Sequence, residues 1–344
     1  MKVAIVYDEI FLRHHPGSYH PERPERLVKI RERLSREDLS PLIEWLSPRR
    51  ARKEEVLWNH SEAHYERIAA TAGKPSVQLD PDTATSEESF EAALYAAGAQ
   101  FVALDEIFKE NYQAAFCLVR PPGHHAETDQ PMGFCLFNNV ALAAHYALKV
   151  LKLSRILIVD WDLHHGNGTQ RSFYHFSEIL FFSTHQFPYY PGTGRMEEVG
   201  HGEGEGFTVN VPLPAGCGDA EYILVFKEIL KPIALEYRPE IIMVSAGFDP
   251  YREDPLGGMK VSIEGFGALA GIIQEIAEEV CGGRILLTLE GGYSLTGLSE
   301  GVAEVIKVLT GAKRTQISLT PSPLARDLVS QAQKFFSRYW KFSS

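Results

Sequence analysis

The strongest constraint on the fold is a set of six short runs that are almost wholly apolar: Val3–Tyr7, Ala114–Val119, Arg155–Val159, Ile179–Ser183, Ile241–Ser245 and Ile285–Leu289. A strand with one wetted face alternates apolar and polar residues, so runs without alternation belong in a sheet buried on both faces. Between them lie longer segments of helical period: Ser61–Ala72, Ser89–Phe108, Asn139–Leu151, Ala220–Glu236, Ile263–Glu279 and Leu298–Leu309. This alternation predicts an α/β fold, a mostly parallel sheet of about eight strands between helices. Phe207–Val211 adds a weaker strand, the Gly-rich stretch 191–206 reads as a long surface loop, and Pro323–Phe342 as a last helix packed outside. No repeat or linker divides the 344 residues. The expectation is one domain over 1–311, with 312–344 as a helical extension packed on it.

In an open parallel sheet, ligands bind in the crevice outside the carboxyl ends of the strands. Four of the runs lead into reactive residues at that edge. Ala114–Val119 enters RPPGHHA with His124 and His125, and Arg155–Val159 enters DWDLHHGNGTQ. Ile241–Ser245 enters AGFDP, and Ile285–Leu289 enters EGGYS with Tyr293. Asp160, Asp162 and His164 are spaced by two, so an extended backbone would point all three to one side. Two of them together with Asp249 would supply three ligands and an open position, the pattern of a catalytic metal site. An unpaired carboxylate at the end of a buried strand, as Asp249 would otherwise be, is costly. A lone Asp after a strand is commonly a helix cap; the convergence of four strands is not explained that way. Zinc is the leading ion, with Fe²⁺ or another first-row ion compatible with the same donors.

The adjacent His124 and His125 suit the proton transfers of hydrolysis, where water must lose a proton and a leaving amine must gain one. Their titrations are coupled, so one ring can stay neutral beside a charged neighbour. Asp160 and Asn167, close to the metal motif, can hold the far ring nitrogens. Two glycines before Tyr293 let its phenol approach the metal, where it could donate to a developing oxyanion. His14–His15 has no comparable support and reads as surface or rim.

The net charge of −11 argues against nucleic-acid partners and favours a neutral or cationic substrate. No apolar stretch has bilayer length, and the first residues lack a signal-peptide pattern. Cys117, Cys135, Cys217 and Cys281 form no CxxC pair and read as buried thiols of a reducing compartment. Cytoplasmic location is the simplest expectation, and a homo-oligomer is compatible with all of this.

These motifs resemble the histone deacetylase superfamily, which includes acetylpolyamine amidohydrolases and bacterial deacetylase-like amidohydrolases. The resemblance rests on HPERPER at 20–26, RPPGHHA at 120–126, GFCLFNNVA at 133–141, VDWDLHHGNGTQ at 159–170, PGTG at 191–194, SAGFDPYREDPLGG at 245–258 and LEGGY at 289–293. It spans roughly residues 1–310 in order, with wording closest to the class II branch. It implies the single-domain arginase/deacetylase fold, one zinc held by Asp162, His164 and Asp249, and hydrolysis of an acetyl amide to acetate and an amine. His125 would serve as base and then acid, His124 as its electrostatic partner, Asp160 as the partner of His124 and Asn167 of His125. Tyr293 would hold the substrate carbonyl. Gly133, Phe134, Tyr190 and Leu256 would line the substrate tunnel, with Gly133 accepting from the substrate amide through its carbonyl. Asp82 would bind substrate backbone at the rim, although helix capping explains it nearly as well. Arg26 would lie at an internal pocket behind the metal, where a surface helix arginine is an equal alternative. The resemblance also implies potassium beside the zinc, at Asp160, Asp162, His164, Ser183 and Thr184. A second potassium would use carbonyls of Phe173, Phe176, Ile179 and Phe207.

The expected substrates are acetylated lysine side chains of proteins or peptides. The nearest rival is an acetylpolyamine amidohydrolase acting on small acetylated amines; Leu256 stands where the acetylspermidine-selective branch has Glu. A two-manganese ureohydrolase would need DxHxD where this chain has DxDxH, and a non-catalytic acyl-lysine reader would not need every catalytic position filled.

Overall fold

The computed structural model describes residues 2–314, 317 and 322–342. All six apolar runs form strands, joined by two more, in one eight-stranded sheet. In chain order these are β1 (Val3–Val6), β2 (Ile43–Leu46), β3 (Ala114–Cys117), β4 (Ile156–Asp160), β5 (Ile179–Gln186), β6 (Thr208–Leu213), β7 (Ile241–Ala246) and β8 (Ile285–Leu289). Their spatial order is β2-β1-β3-β8-β7-β4-β5-β6, and every pairing in this sheet is parallel. Strands β3, β4, β5, β7 and β8 are buried along their whole length, which is why their sequences do not alternate. Edge strand β2 escaped the sequence reading. IEWL holds one buried residue of four, and a four-residue half-wet strand leaves too little pattern.

The order places the four site-bearing strands side by side as β3-β8-β7-β4. Register fixes their ends together, with Asp160 opposite Ser245, Ala246 opposite Leu289, and Thr288 opposite Cys117. Four consecutive loops therefore open at one edge of the sheet centre.

Helices α1 (Glu25–Leu34), α2 (Ser89–Phe108), α3 (Asn139–Lys149), α4 (Asn167–Phe173), α5 (Ile263–Cys281), α6 (Leu295–Leu309) and α7 (Pro323–Phe336) flank the sheet. Asn138, Ser262 and Ser294 cap α3, α5 and α6 by accepting backbone N–H groups of the first turn. Helix α1 was missed, although ERLVKIRERL buries Leu27, Ile30 and Leu34 at helical spacing. Expected helix Ala220–Glu236 is interrupted by a π-turn at Phe226–Leu230. Pro232 lacks the N–H that would continue the regular ladder there. The 191–206 segment is loop apart from one 3₁₀ turn at Gly202–Gly204.

Helix α7 ends at Phe336, short of the expected Phe342, and the following Trp340 is buried against Phe207 and Tyr237 with ring centroids 5.6 and 6.2 Å away. Its indole donates to the Gly206 carbonyl at 2.9 Å. Of the expected extension 312–344, residues 315, 316, 318–321, 343 and 344 lie outside the described residues.

Candidate active site

The chain does not stay extended past Asp160. It bends, because Asp160 Oδ1 accepts the N–H of Asp162 at 3.1 Å and Asp162 Oδ1 accepts that of His164 at 2.9 Å. The three residues therefore do not share a side as an extended strand would require. Asp162 and His164 turn toward Asp249, whereas Asp160 turns toward His124.

His164 Nδ1 stands 3.1 Å from Asp162 Oδ1 and 3.1 Å from Asp249 Oδ2. Donor atoms about 2 Å from a common ion lie roughly 3 Å apart, so this spacing fits one ion. The remaining bonds aim the donors. Asp249 Oδ1 accepts Leu163 N–H at 2.9 Å, while its buried Oδ2 has no hydrogen-bond partner. Asp162 Oδ2 accepts Gly291 N–H at 2.8 Å, and a Cβ at Gly291 would collide with both carboxylates. Burial, reinforced by the charge of Asp162, pushes the Asp249 carboxyl up to about 7. Two buried carboxylates facing one imidazole, with an orphaned oxygen between them, are a cation's donor set.

The two neighbouring imidazoles have opposite characters. His124 Nδ1 is 2.9 Å from Asp160 Oδ2. Burial opposes its charge, but Asp160 and Asp162 outweigh burial and push His124 up to about 10. His125, with its centroid 4.0 Å from that of His124, is held well below its ordinary value by burial and by the charge of His124. Its Nδ1 is 2.8 Å from Asn167 Oδ1, which leaves Nε2 for the cavity. The carboxylates thus favour the charged form of His124, and burial beside it favours the neutral form of His125.

Tyr293 and the loop carrying His124 are placed by carboxylates that received no role from sequence. Asp254 Oδ2 accepts the N–H groups of Tyr293 and Ser294 at 2.7 and 3.0 Å, and its Oδ1 accepts that of Leu256 at 3.0 Å. Glu290 Oε2 accepts the N–H groups of Gly123 and His124 at 2.7 and 3.2 Å. Both residues sit inside motifs already noted; for Glu290, directly after β8, a carboxylate beside a buried strand end was the available signal. Arg26 is fully buried, which removes the surface alternative. It donates to the Gly292 carbonyl at 2.7 Å and to the Glu290 carbonyl, and lies 5.2 Å from the Tyr293 ring centroid. Glu22 joins Arg26 to Arg120, which also donates to the Phe11 and His14 carbonyls. His14, expected at the surface or rim, is buried beside Glu22, with Nδ1 2.7 Å from Ser89 Oγ.

Burial opposes the charge of Glu22, yet Arg120 and His14 hold its carboxyl well below the ordinary value. Such a group stabilises the fold fully above the ordinary glutamate range and loses that contribution as pH falls through its folded pKa. Glu22→Gln should therefore cost about 2 kcal/mol at pH 7, with the deficit shrinking below about pH 4. Urea unfolding of both proteins at several pH values measures this. A deficit independent of pH would mean packing, not charge, is lost.

Above the triad lies a narrow cavity of about 90 Å³, lined by Asp82, Pro122, His124, His125, Gly133, Phe134, His164, Tyr190, Leu256, Gly291 and Tyr293. Every expected tunnel and rim residue lines it, and Arg26 does not. Phe134 is held at a positive φ of 68° by Thr83, whose hydroxyl accepts its N–H at 3.0 Å, and its ring stands perpendicular to that of Tyr293 at 5.9 Å. Asp82 caps no helix: its Oδ1 accepts Gly133 N–H at 3.1 Å and the Thr83 hydroxyl at 2.9 Å. Tyr190 is half-exposed at the mouth.

Ser183 and Thr184 are buried on β5 beside Asp160, and Thr184 Oγ1 has no hydrogen-bond partner. The Phe173 and Phe207 carbonyls already accept the N–H groups of Phe176 and Phe181 at 3.0 and 2.9 Å. All four cysteines are buried and unpaired, and no helix among the described residues is long and apolar enough to cross a membrane.

Known proteins share both the sequence and the fold of this chain. The family described as Histone deacetylase domain matches residues 20–309. A probable deacetylase of Archaeoglobus fulgidus is 42% identical over 299 residues, covering 86% of this chain and 83% of its own. Histone deacetylase 10, chloroplastic, of Oryza sativa subsp. japonica is 38% identical over 314 residues, covering 86% of this chain and 71% of its own. The crystal structure of the HDA15 HD domain superposes with a TM-score of 0.93 at 37% identity, covering 99% of this chain and 97% of that one.

Proposed function

The chain belongs to the histone deacetylase family, and from that premise we propose that it is a zinc-dependent deacetylase acting on the amide of N-acetyl-lysine side chains. The observation that carries the reading is the triad of Asp162, His164 and Asp249 at the foot of a cavity that also contains His125 and Tyr293. When bound, the ion supplies a Lewis acid that polarises the acetyl carbonyl and acidifies a water. The rest falls to the protein. Nε2 of neutral His125 takes the proton of the attacking water and returns it to the leaving amine. Charged His124, anchored on Asp160, stabilises negative charge developing beside it. The Tyr293 phenol, which burial and Asp249 keep well above its ordinary pKa, stays a donor to the carbonyl oxygen. Phe134, Tyr190 and Leu256 give the lysine stem an apolar channel and exclude water. An internal pocket at Arg26, serving as the route for acetate, is part of the same proposal. Potassium beside Asp160, Asp162, His164, Ser183 and Thr184, a second potassium at the carbonyls noted above, and a cytoplasmic setting are further parts of the reading.

Leu256 favours lysine over a polyamine, because an apolar wall has no charge for a second ammonium group. The expected kcat/KM for acetyl-lysine peptides exceeds that for N-acetylspermidine by roughly tenfold or more. The reverse preference would move the chain to the acetylpolyamine amidohydrolase reading.

A further inference from the structure

This inference rests on the reading of His125 as the base and asks what fixes its tautomer. Nε2 can accept a proton only while the ring's own proton sits on Nδ1, which requires an acceptor there. Asn167 is an ambiguous partner. Its oxygen, 2.8 Å from Nδ1, selects the useful tautomer; a half-turn of the amide would present NH₂ and drive the proton to Nε2. Asn167 Nδ2 also faces Met132 Sδ at 3.3 Å and the His125 carbonyl at 3.5 Å, a weak acceptor and a long contact, so Glu127 is the partner that removes the ambiguity. Its Oε1 is 2.9 Å from Asn167 Nδ2, and a carboxylate can only accept, so the nitrogen end must face it. Arg171, four residues after Asn167 on α4, donates to Glu127 Oε2 at 2.6 Å and keeps the carboxylate in place. The Glu127 side chain is only 18% exposed, which shelters its hydrogen bond to Asn167 from competing water.

We propose that Glu127 is a positioning residue that orients the Asn167 amide, and through it holds His125 with its proton on Nδ1. The anion that the Asn167 dyad lacks is thereby supplied from behind.

The test uses the zinc-loaded enzyme and two readouts. ¹⁵N spectra of the His125 imidazole, assigned by their loss in His125→Gln, report the tautomer; steady-state kinetics on an acetyl-lysine peptide report kcat and KM. In Glu127→Gln, Arg171 draws the new carbonyl and leaves NH₂ facing Asn167, so the Asn167 amide turns. The expected result is an Nε2–H tautomer and a kcat lowered about 10- to 100-fold with KM little changed. Adding Asn167→Asp restores an acceptor for both neighbours and should recover the Nδ1–H tautomer and most of the activity. If Glu127→Gln does not fold, the double variant and Glu127→Ala are read instead, Glu127→Ala losing the single Nδ1–H form. An Nδ1–H tautomer and full kcat without Glu127 would overturn the proposal. A wild-type enzyme inert toward acetyl-lysine would remove the functional reading, while the spectra would still decide the tautomer.

Discussion

Tyr293→Phe should lower kcat on an acetyl-lysine peptide by about 10²–10³, or roughly 3–4 kcal/mol of transition-state stabilisation, with KM nearly unchanged. Phenylalanine fills the same space, so the perpendicular contact with Phe134 and the stacking under Arg26 persist. The backbone is held independently, by Asp254 at Tyr293 and Ser294 and by Arg26 at Gly292. Only one O–H donor is lost. Its hydrogen bond strengthens as the carbonyl oxygen gains charge, so the loss falls on kcat more than on ground-state binding. Kinetics, metal analysis and circular dichroism on the same preparations test this. Activity within tenfold of wild type at equal metal content would remove Tyr293 from the oxyanion role.

The parts of this protein that sequence revealed share a physical cause. β3, β4, β7 and β8 are central strands, so burial on both faces left runs of apolar residues with sharp ends, and the residues after each end were legible as candidates. Asp162, His164, Asp249, His125 and Tyr293 became candidates that way. The edge strand β2 carries a weaker pattern, because solvent takes one face of a run only four residues long; helix α1 has the ordinary helical period of Leu27, Ile30 and Leu34, so its absence from the sequence reading has no physical cause. Arg26 shows a different limit: in ERLVKIRERL it has the look of any surface helix arginine. Its burial is decided by Glu22, four residues before it, and by the Gly292 carbonyl, 266 positions away.

Asp254, Glu290 and Glu127 were missed for a related reason. Each is an acceptor for backbone or amide groups contributed by another loop, and such pairing leaves no trace in local spacing. The extended reading of DWDLH failed at the same scale. Backbone N–H groups found acceptors in the side chains of Asp160 and Asp162, and those bonds bend the chain.

Asp249→Asn should remove the metal while preserving the fold, and its effect should exceed that of Tyr293→Phe. The two oxygens of Asp249 have separate duties. Oδ1 holds Leu163 N–H, which an amide oxygen can still do, whereas Oδ2 is the unpartnered atom facing His164. An amide nitrogen there offers no lone pair to a cation. Metal content should fall from one ion per chain to a small fraction, and activity should drop on the order of 10³-fold or more. Stability separates this from general damage. An ion held at 1,000 times its Kd stabilises the native state by about 4 kcal/mol, so chelation should lower the Tm of the wild type and leave the variant unchanged. After chelation the order should reverse. The stripped wild type retains two buried carboxylates, with Asp249 raised to about 7 by burial and by Asp162, whereas the variant retains one. A variant that keeps a full equivalent of metal, or a wild type whose Tm and activity ignore chelation, would break the assignment of Asp249 as a ligand.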